Sequence, residues 1–227
     1  MMFFKFEQYY KKKLPKYPIF IDVGANEGLW SNKIVKKYKK ARVFAIEPIE
    51  GITKKKKNIL VFNFAIHIKN KKKMEFNITR KNVTSSILKQ NHLIIKKFKT
   101  FKAKNGLVHR KSDYDVIKKI YIKTITLKNF CMINKIKNIH YLKIDAEGND
   151  LNVLKSLGKK YTKKLWGLEL ETWNEQKTLW KNQIWLQKCL DYIKKINFTV
   201  VKKIIHGKGK TTDLICVNNK ILKNEKI

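Results

Sequence analysis

Apolar residues along this chain fall into short runs that switch between two periods. Ile19, Phe20, Ile21 and Val23 form an almost unbroken run of β-formers, the pattern of a strand covered on both faces in a parallel sheet. Past Gly28 the spacing lengthens. Trp30, Ile34 and Tyr38 recur at i, i+4 and i+8 with Val35 beside them, leaving Asn32, Lys33, Lys36 and Lys37 outside, so a helix follows the strand. Arg42 to Ile46 repeats the strand pattern and runs into Glu47-Pro48. Ile52-Thr53 and the four lysines after them predict a solvated helix face, and Ile59 to Ile66 a third buried strand. Met74, Phe76 and Ile78 alternate with Glu75, Asn77 and Thr79, as in an added or edge strand with one face in water. Tyr121 to Leu127 predicts another strand, and Tyr141 to Ile144 a central one ending in Asp145. Leu151, Leu154 and Leu157 mark a helix that Gly158 stops as a C′ residue. Leu165 to Leu170 predicts a strand ending in Glu169 and Glu171. Leu179, Leu186, Leu190 and Ile193 then stripe a long helix. Phe198 to Ile205 and Leu214 to Val217, joined by His206-Gly207-Lys208-Gly209, close the chain as a hairpin.

Strands alternating with helices imply an α/β fold: a mostly parallel sheet with helices on both faces and one antiparallel strand supplied by the terminal hairpin. Ligands bind such sheets at the carboxyl ends of the strands. Gly24, Glu47, Asp145 and Glu171 all fall there.

The turn Asp22-Val23-Gly24-Ala25-Asn26-Glu27-Gly28 carries the first chemical signal. Gly24 lets the chain turn at the strand end, and Gly28 lets a ligand lie close to the backbone where free helix N–H groups collect. A dinucleotide turn would place a glycine where Asn26 stands, and the carboxylate of Glu27 would repel a pyrophosphate. Asp22 and Glu27 suit a cationic ligand instead, such as the amino group or sulfonium of S-adenosylmethionine. Glu47, at the end of the second strand, is placed to accept hydrogen bonds from two ribose hydroxyls.

Three segments together resemble the FkbM-type methyltransferases, within the class I S-adenosylmethionine-dependent enzymes. They are Ile21-Asp22-Val23-Gly24-Ala25-Asn26-Glu27-Gly28, Val43-Phe44-Ala45-Ile46-Glu47-Pro48 and Leu142-Lys143-Ile144-Asp145-Ala146-Glu147-Gly148-Asn149-Asp150-Leu151. The third, with Lys-Ile-Asp-x-Glu-Gly ahead of an amphipathic helix, is the most specific. The resemblance lies within residues 19 to 171. It implies a Rossmann-like class I fold with a seven-stranded sheet and an added strand after the third. It also implies S-adenosylmethionine held by Asp22, Gly24, Ala25, Asn26, Gly28 and Glu47, and O-methylation of a hydroxyl on a sugar, glycan or other small molecule. Thr84-Ser85-Ser86 resembles a serine-rich stretch of the family, and 87 to 115 is placed to act as an acceptor-side insertion.

Methyl transfer to a hydroxyl needs the oxygen aligned with the methyl and a group to take up its proton. Asp145 and Glu147 are the candidate catalytic pair, with Glu169 or Glu171 on the neighbouring strand. Such a cluster acts as a base or holds a magnesium ion; the reading requires no metal. In the alternative, Asp145 orients the cofactor's amino group and Glu147 caps a helix. His109 is a further candidate base on the acceptor side, whereas His140 belongs at the wrong end of its strand.

Length and composition add limits. The 227 residues fit one domain, 1–227, with a helix and linker in 1–18 whose aromatics pack on it. No apolar run approaches the roughly 20 residues of a membrane span, and the start is too short and interrupted for a secretory signal, so a cytoplasmic protein is expected. Cys131, Cys189 and Cys216 are odd in number and far apart, which argues against a disulfide framework or zinc site. The net charge is +36, yet all but three of the 53 basic residues are lysine rather than arginine, whose fork favours phosphate and base contacts. Lysine rises with isoleucine and asparagine, as an A/T-rich coding sequence would produce, so the charge reads mainly as composition. A nucleic-acid acceptor of the same fold, or a non-catalytic polyanion binder, is the competing reading. No Asn/Asp-Pro-Pro-Tyr/Phe motif for a base amine supports it. The oligomeric state has no signal in the sequence.

Overall fold

A computed structural model describes residues 6–97, 100–102, 108–206 and 209–222. After a 3-10 turn at Phe6–Tyr9, the chain runs β1 (Ile19–Val23), α1 (Leu29–Lys37), β2 (Arg42–Ile46), β3 (Ile59–Phe62), β4 (Ala65–Ile66) and β5 (Lys71–Thr79). It continues through α2 (His92–Lys96), β6 (Phe101–Lys102), β7 (Val108–His109), β8 (Val116–Ile125), α3 (Leu127–Ile133), β9 (Tyr141–Ile144), α4 (Asp150–Ser156) and α5 (Gly158–Thr162). The last elements are β10 (Gly167–Trp173), α6 (Leu186–Lys195), β11 (Phe198–His206) and β12 (Thr211–Asn218).

Seven strands form the main sheet in the order β11-β12-β10-β9-β1-β2-β3. β12 runs antiparallel to both β10 and β11, and the other pairings are parallel. From β1 the chain builds outward through β2 and β3, then returns to the other side of β1 at β9. This reversal of strand order opens a crevice at the carboxyl ends of β1 and β9. Period-2 alternation gives each face its own core. Ile21, Val23, Phe44, Ile46, Leu142 and Ile144 pack with Leu127 and Phe130 of α3, Leu154 of α4 and Ile193 of α6. Phe20, Val43, Ala45 and Tyr141 meet Trp30 and Ile34 of α1 on the other face. There the N-terminal aromatics pack as expected: Phe6 stacks on Tyr141 with ring centroids 4.0 Å apart, and the Tyr10 hydroxyl donates to the His140 carbonyl at 2.8 Å.

Four sequence expectations are corrected. Residues 52–57 are a loop rather than a helix; the Thr53 hydroxyl donates to the Asn26 carbonyl, and the Asn58 side chain donates to the Lys39 carbonyl at 2.8 Å. A lysine run with no apolar stripe offers such a helix nothing to bury. The third strand stops at Phe62. The Asn63 side chain donates to the Glu47 carbonyl at 3.1 Å, and the chain then turns so that Ala65 and Ile66 pair with Thr124 and Ile125 of β8. The added strand β5 therefore lies in a separate three-stranded sheet, β4-β8-β5, and Leu127 of the expected 121–127 strand opens α3. Finally, the helix striped from Leu179 begins only at Leu186. Leu179 packs with Ile95, Tyr114, Trp173 and Trp180 in a small cluster of its own.

The hairpin forms as expected, with residues 207 and 208 of its turn outside the described residues. Gly158 has the left-handed backbone (φ +72°) of a C′ residue, and the short α5 starts from it. No helix among the described residues is long and apolar enough to cross a membrane.

Candidate active site

A cleft partly open to solvent lies at the carboxyl ends of β1, β2 and β9. Gly24, Asn26, Glu47, Asp145, Ala146 and Glu147 form its polar side, while Phe64, Ala65, Ile66, Phe76 and Ile87 form an apolar wall supplied by the second sheet. The β1 turn reaches it because Gly24 adopts φ +75°, a conformation that costs an L-residue.

Glu47 is buried at 5 % exposure, and its carboxylate fastens two loops. Oε2 accepts from the Asn26 N–H at 2.9 Å and Oε1 from the Ile49 N–H at 3.0 Å. Each oxygen retains lone-pair capacity toward the cleft. Burial raises its pKa above the ordinary carboxylate value, and the two N–H donors oppose that shift.

The turn after β9 is closed by Asp150, whose Oδ1 accepts from the Ala146 N–H at 2.8 Å and Oδ2 from the Gly148 N–H at 3.0 Å. Burial pushes this carboxyl up to about 7. The turn holds Glu147 at φ +45°, an uncommon conformation for a residue with a side chain, and Ser86 donates to its carbonyl at 2.8 Å. As a result the carboxylates of Asp145, Glu147 and Glu171 point together, with one oxygen of each within 4.8 Å of the others. Trp180 stands beside Glu147, and Tyr114 near both glutamates. Enclosure by protein is the main cause, and the neighbouring carboxylates the next, that holds Glu147 and Glu171 well above the ordinary range. Such a set can share a proton, and its oxygen donors could also hold a hard divalent cation.

Residues 22–188 match the sequence profile of the methyltransferase FkbM domain. The chain belongs to the FkbM methyltransferase family. A methyltransferase FkbM from Methylobacillus flagellatus superposes with a TM-score of 0.54 at 13% identity, over 92% of this chain and 47% of that one. The chain thus spans about half the length of that relative, and the likeness establishes a class I methyltransferase fold. Looser likenesses are to M. capricolum TrmK in complex with S-adenosyl-homocysteine (TM-score 0.42, 14% identity, 100% and 73% of the two chains). Another is to CalO1, a methyltransferase in calicheamicin biosynthesis in its S-adenosyl-homocysteine-bound form (0.40, 4%, 91% and 50%). Among curated proteins, none matches the sequence.

Within this FkbM domain the fold brings Gly24, Asn26, Glu47, Asp145 and Glu147 to the cleft, and sets Asp22, Ala25 and Gly28 apart from its lining. Asp22 is fully buried on the α1 side of the sheet, where Oδ2 accepts from the Ser31 hydroxyl at 2.6 Å. Ala25 packs in the core under α1. Gly28 starts α1 at φ +77°, with the Thr53 methyl 3.1 Å from where a Cβ would stand. His140 and His206 do not line the cleft: His140 accepts from the Ile19 N–H at 2.9 Å and His206 pairs with Asp213 at 2.6 Å, while the His109 side chain lies outside the described residues. The sequence reading missed the roles of Ser86, Trp180, Asp150 and Lys143. Asp150 had a signal, as a short acid at a helix start. Lys143, 5 % exposed in a strand buried throughout, was masked by the abundance of lysine elsewhere.

Proposed function

We propose that the protein is an S-adenosylmethionine-dependent methyltransferase acting on a hydroxyl of a sugar, glycan or other small molecule. The observation that carries this reading is that Asp145 and Glu147, grouped with Glu171, line one cleft together with the Gly24 turn and Glu47. The donor set fits the cofactor. Glu47 offers acceptors for ribose hydroxyls, Asp145 an anion for an ammonium group, and Phe64, Ala65, Ile66 and Ile87 an apolar wall for a purine. When bound, S-adenosylmethionine supplies a methyl group activated by a sulfonium.

The chain's own residues then divide the work. Asp145, with its side chain 38 % exposed, faces the cofactor's amino-acid end. Glu147, beside Trp180, takes the acceptor's hydroxyl proton in its ionised form, and its raised proton affinity makes that form a stronger base than an ordinary carboxylate. Glu171 stands beside it. The test is transfer of labelled methyl from S-adenosylmethionine to panels of glycans, small polyols and RNA. Labelling of the hydroxyl acceptors supports the reading, and labelling of RNA alone moves the protein to the nucleic-acid alternative.

A further inference from the structure

The α1 side of the sheet carries a row of charge where apolar packing is the rule. Asp22 on β1, Lys143 on β9 and Glu169 on β10 stand side by side in register. Lys143 is the one cation among them. Its Nζ lies 3.0 Å from Asp145 Oδ2 and 3.8 Å from Asp22 Oδ1, an oxygen that accepts no hydrogen bond among the described residues. Burial works against the ammonium, but Asp145, Asp22 and Glu169 outweigh it and hold its pKa above the ordinary lysine value, so it stays charged. Of its carboxylate neighbours, Asp145 alone lines the cleft.

We propose that Lys143 is a positioning residue for cofactor binding: its buried ammonium fixes the Asp145 carboxylate in the orientation that receives the amino group of S-adenosylmethionine. The 3.0 Å contact is the one side-chain hydrogen bond recorded to the Asp145 carboxylate among the described residues. Without it, a strand-end aspartate more than a third exposed is free to change rotamer toward water. Asp22 supplies the counter-charge that keeps the lysine in the sheet, and Ser31 ties Asp22 to α1. Asp22 in the glycine-turn motif and Lys143 in the Lys-Ile-Asp-x-Glu-Gly motif thus act on the cofactor through one ion-paired chain rather than by contact. The proposal rests on the cofactor reading above.

Two ligands separate positioning from folding. S-adenosylhomocysteine carries the amino-acid end, and 5′-methylthioadenosine has the same nucleoside without it. Calorimetry is run on the wild type, on Asp145→Asn, and on Lys143→Met combined with Asp22→Asn so that the fully buried Asp22 carboxylate is not left without its cation. The double variant should lose about tenfold or more in S-adenosylhomocysteine affinity, the weight of a charge-assisted contact. It should keep 5′-methylthioadenosine affinity within about twofold, and Asp145→Asn should show the same split. Adding Asp145→Asn to the double variant should cost nothing more. Equal loss of both ligands would make Lys143 merely structural, and no loss of either would also overturn the proposal. Should the double variant not fold, Asp145→Asn decides, since wild-type S-adenosylhomocysteine affinity there leaves Lys143 nothing to position. A wild-type protein that binds neither ligand overturns the methyltransferase reading itself, and the role of Lys143 with it.

Discussion

Gly24 abuts the main-chain carbonyl of Asp145 so closely that an added Cβ would stand 1.7 Å from the oxygen. Backbone opposes backbone there, so no rotamer change relieves the contact, and φ +75° adds about 1–2 kcal/mol of left-handed strain. Gly24→Val should therefore part β1 from β9 at the cleft and abolish S-adenosylhomocysteine binding, with a lowered melting temperature. Wild-type affinity by calorimetry would remove the turn from the cofactor site.

Glu47→Ala deletes the acceptor for two backbone donors and the group proposed to hold the ribose. Loss of a charged hydrogen bond costs roughly 1.5–3 kcal/mol, so S-adenosylhomocysteine should bind about ten- to a hundredfold more weakly. Adenosine, which keeps the ribose, should weaken in proportion. An unchanged dissociation constant would show that another residue takes the hydroxyls.

Glu147→Gln keeps the shape of the side chain and removes its basicity. Cofactor affinity should stay within about twofold, while single-turnover methyl transfer falls by about 10²–10⁴. Transfer at the wild-type rate would make Glu147 a structural residue of its turn. Activity that survives exhaustive chelation would exclude a required cation and leave the base.

The enclosed acids also set a pH dependence of stability. Glu171 is held well above its ordinary value and Glu169 is pushed up to about 7, so the folded protein binds more protons than the unfolded chain above about pH 4.5. Their contribution to stability is then full at low pH and is lost as pH rises through the folded values. Glu171→Gln should raise the melting temperature relative to wild type at pH 8 and leave it little changed near pH 4.5. Equal effects at both pH values would mean that the carboxyl is not held protonated.

Lys33, Lys36, Lys39 and Lys56 line one shallow groove where α1 meets the loop before β3, bringing together two lysine-rich runs of the sequence. A lysine face without arginine should bind RNA weakly, with a dissociation constant of about 10⁻⁴–10⁻⁶ M at physiological salt and a steep loss as salt rises. Fluorescence anisotropy on a homopolymer and on mixed RNAs measures this. Tight, salt-resistant binding to one sequence would favour a nucleic-acid acceptor.

Local order settled much of the fold in advance. The unbroken β-forming run at 19–23, the change of period after Gly28 and the acid at Glu47 follow from side-chain spacing and glycine backbone freedom alone, and they located the cleft edge. The period-2 alternation at 74–79 likewise announced a strand. Which sheet that strand joins depended on Asn63 leaving the row, a hydrogen bond to the Glu47 carbonyl that no periodicity records. The same limit applies to charge. Sequence placed Asp22 beside a ligand because it sits in the glycine turn, but strand parity turns its side chain under α1 toward Lys143, a partner 121 positions away. Pairing across parallel strands is non-local. The order of strands, and hence which carboxylate faces water and which faces a buried ammonium, is decided only when β9 docks against β1.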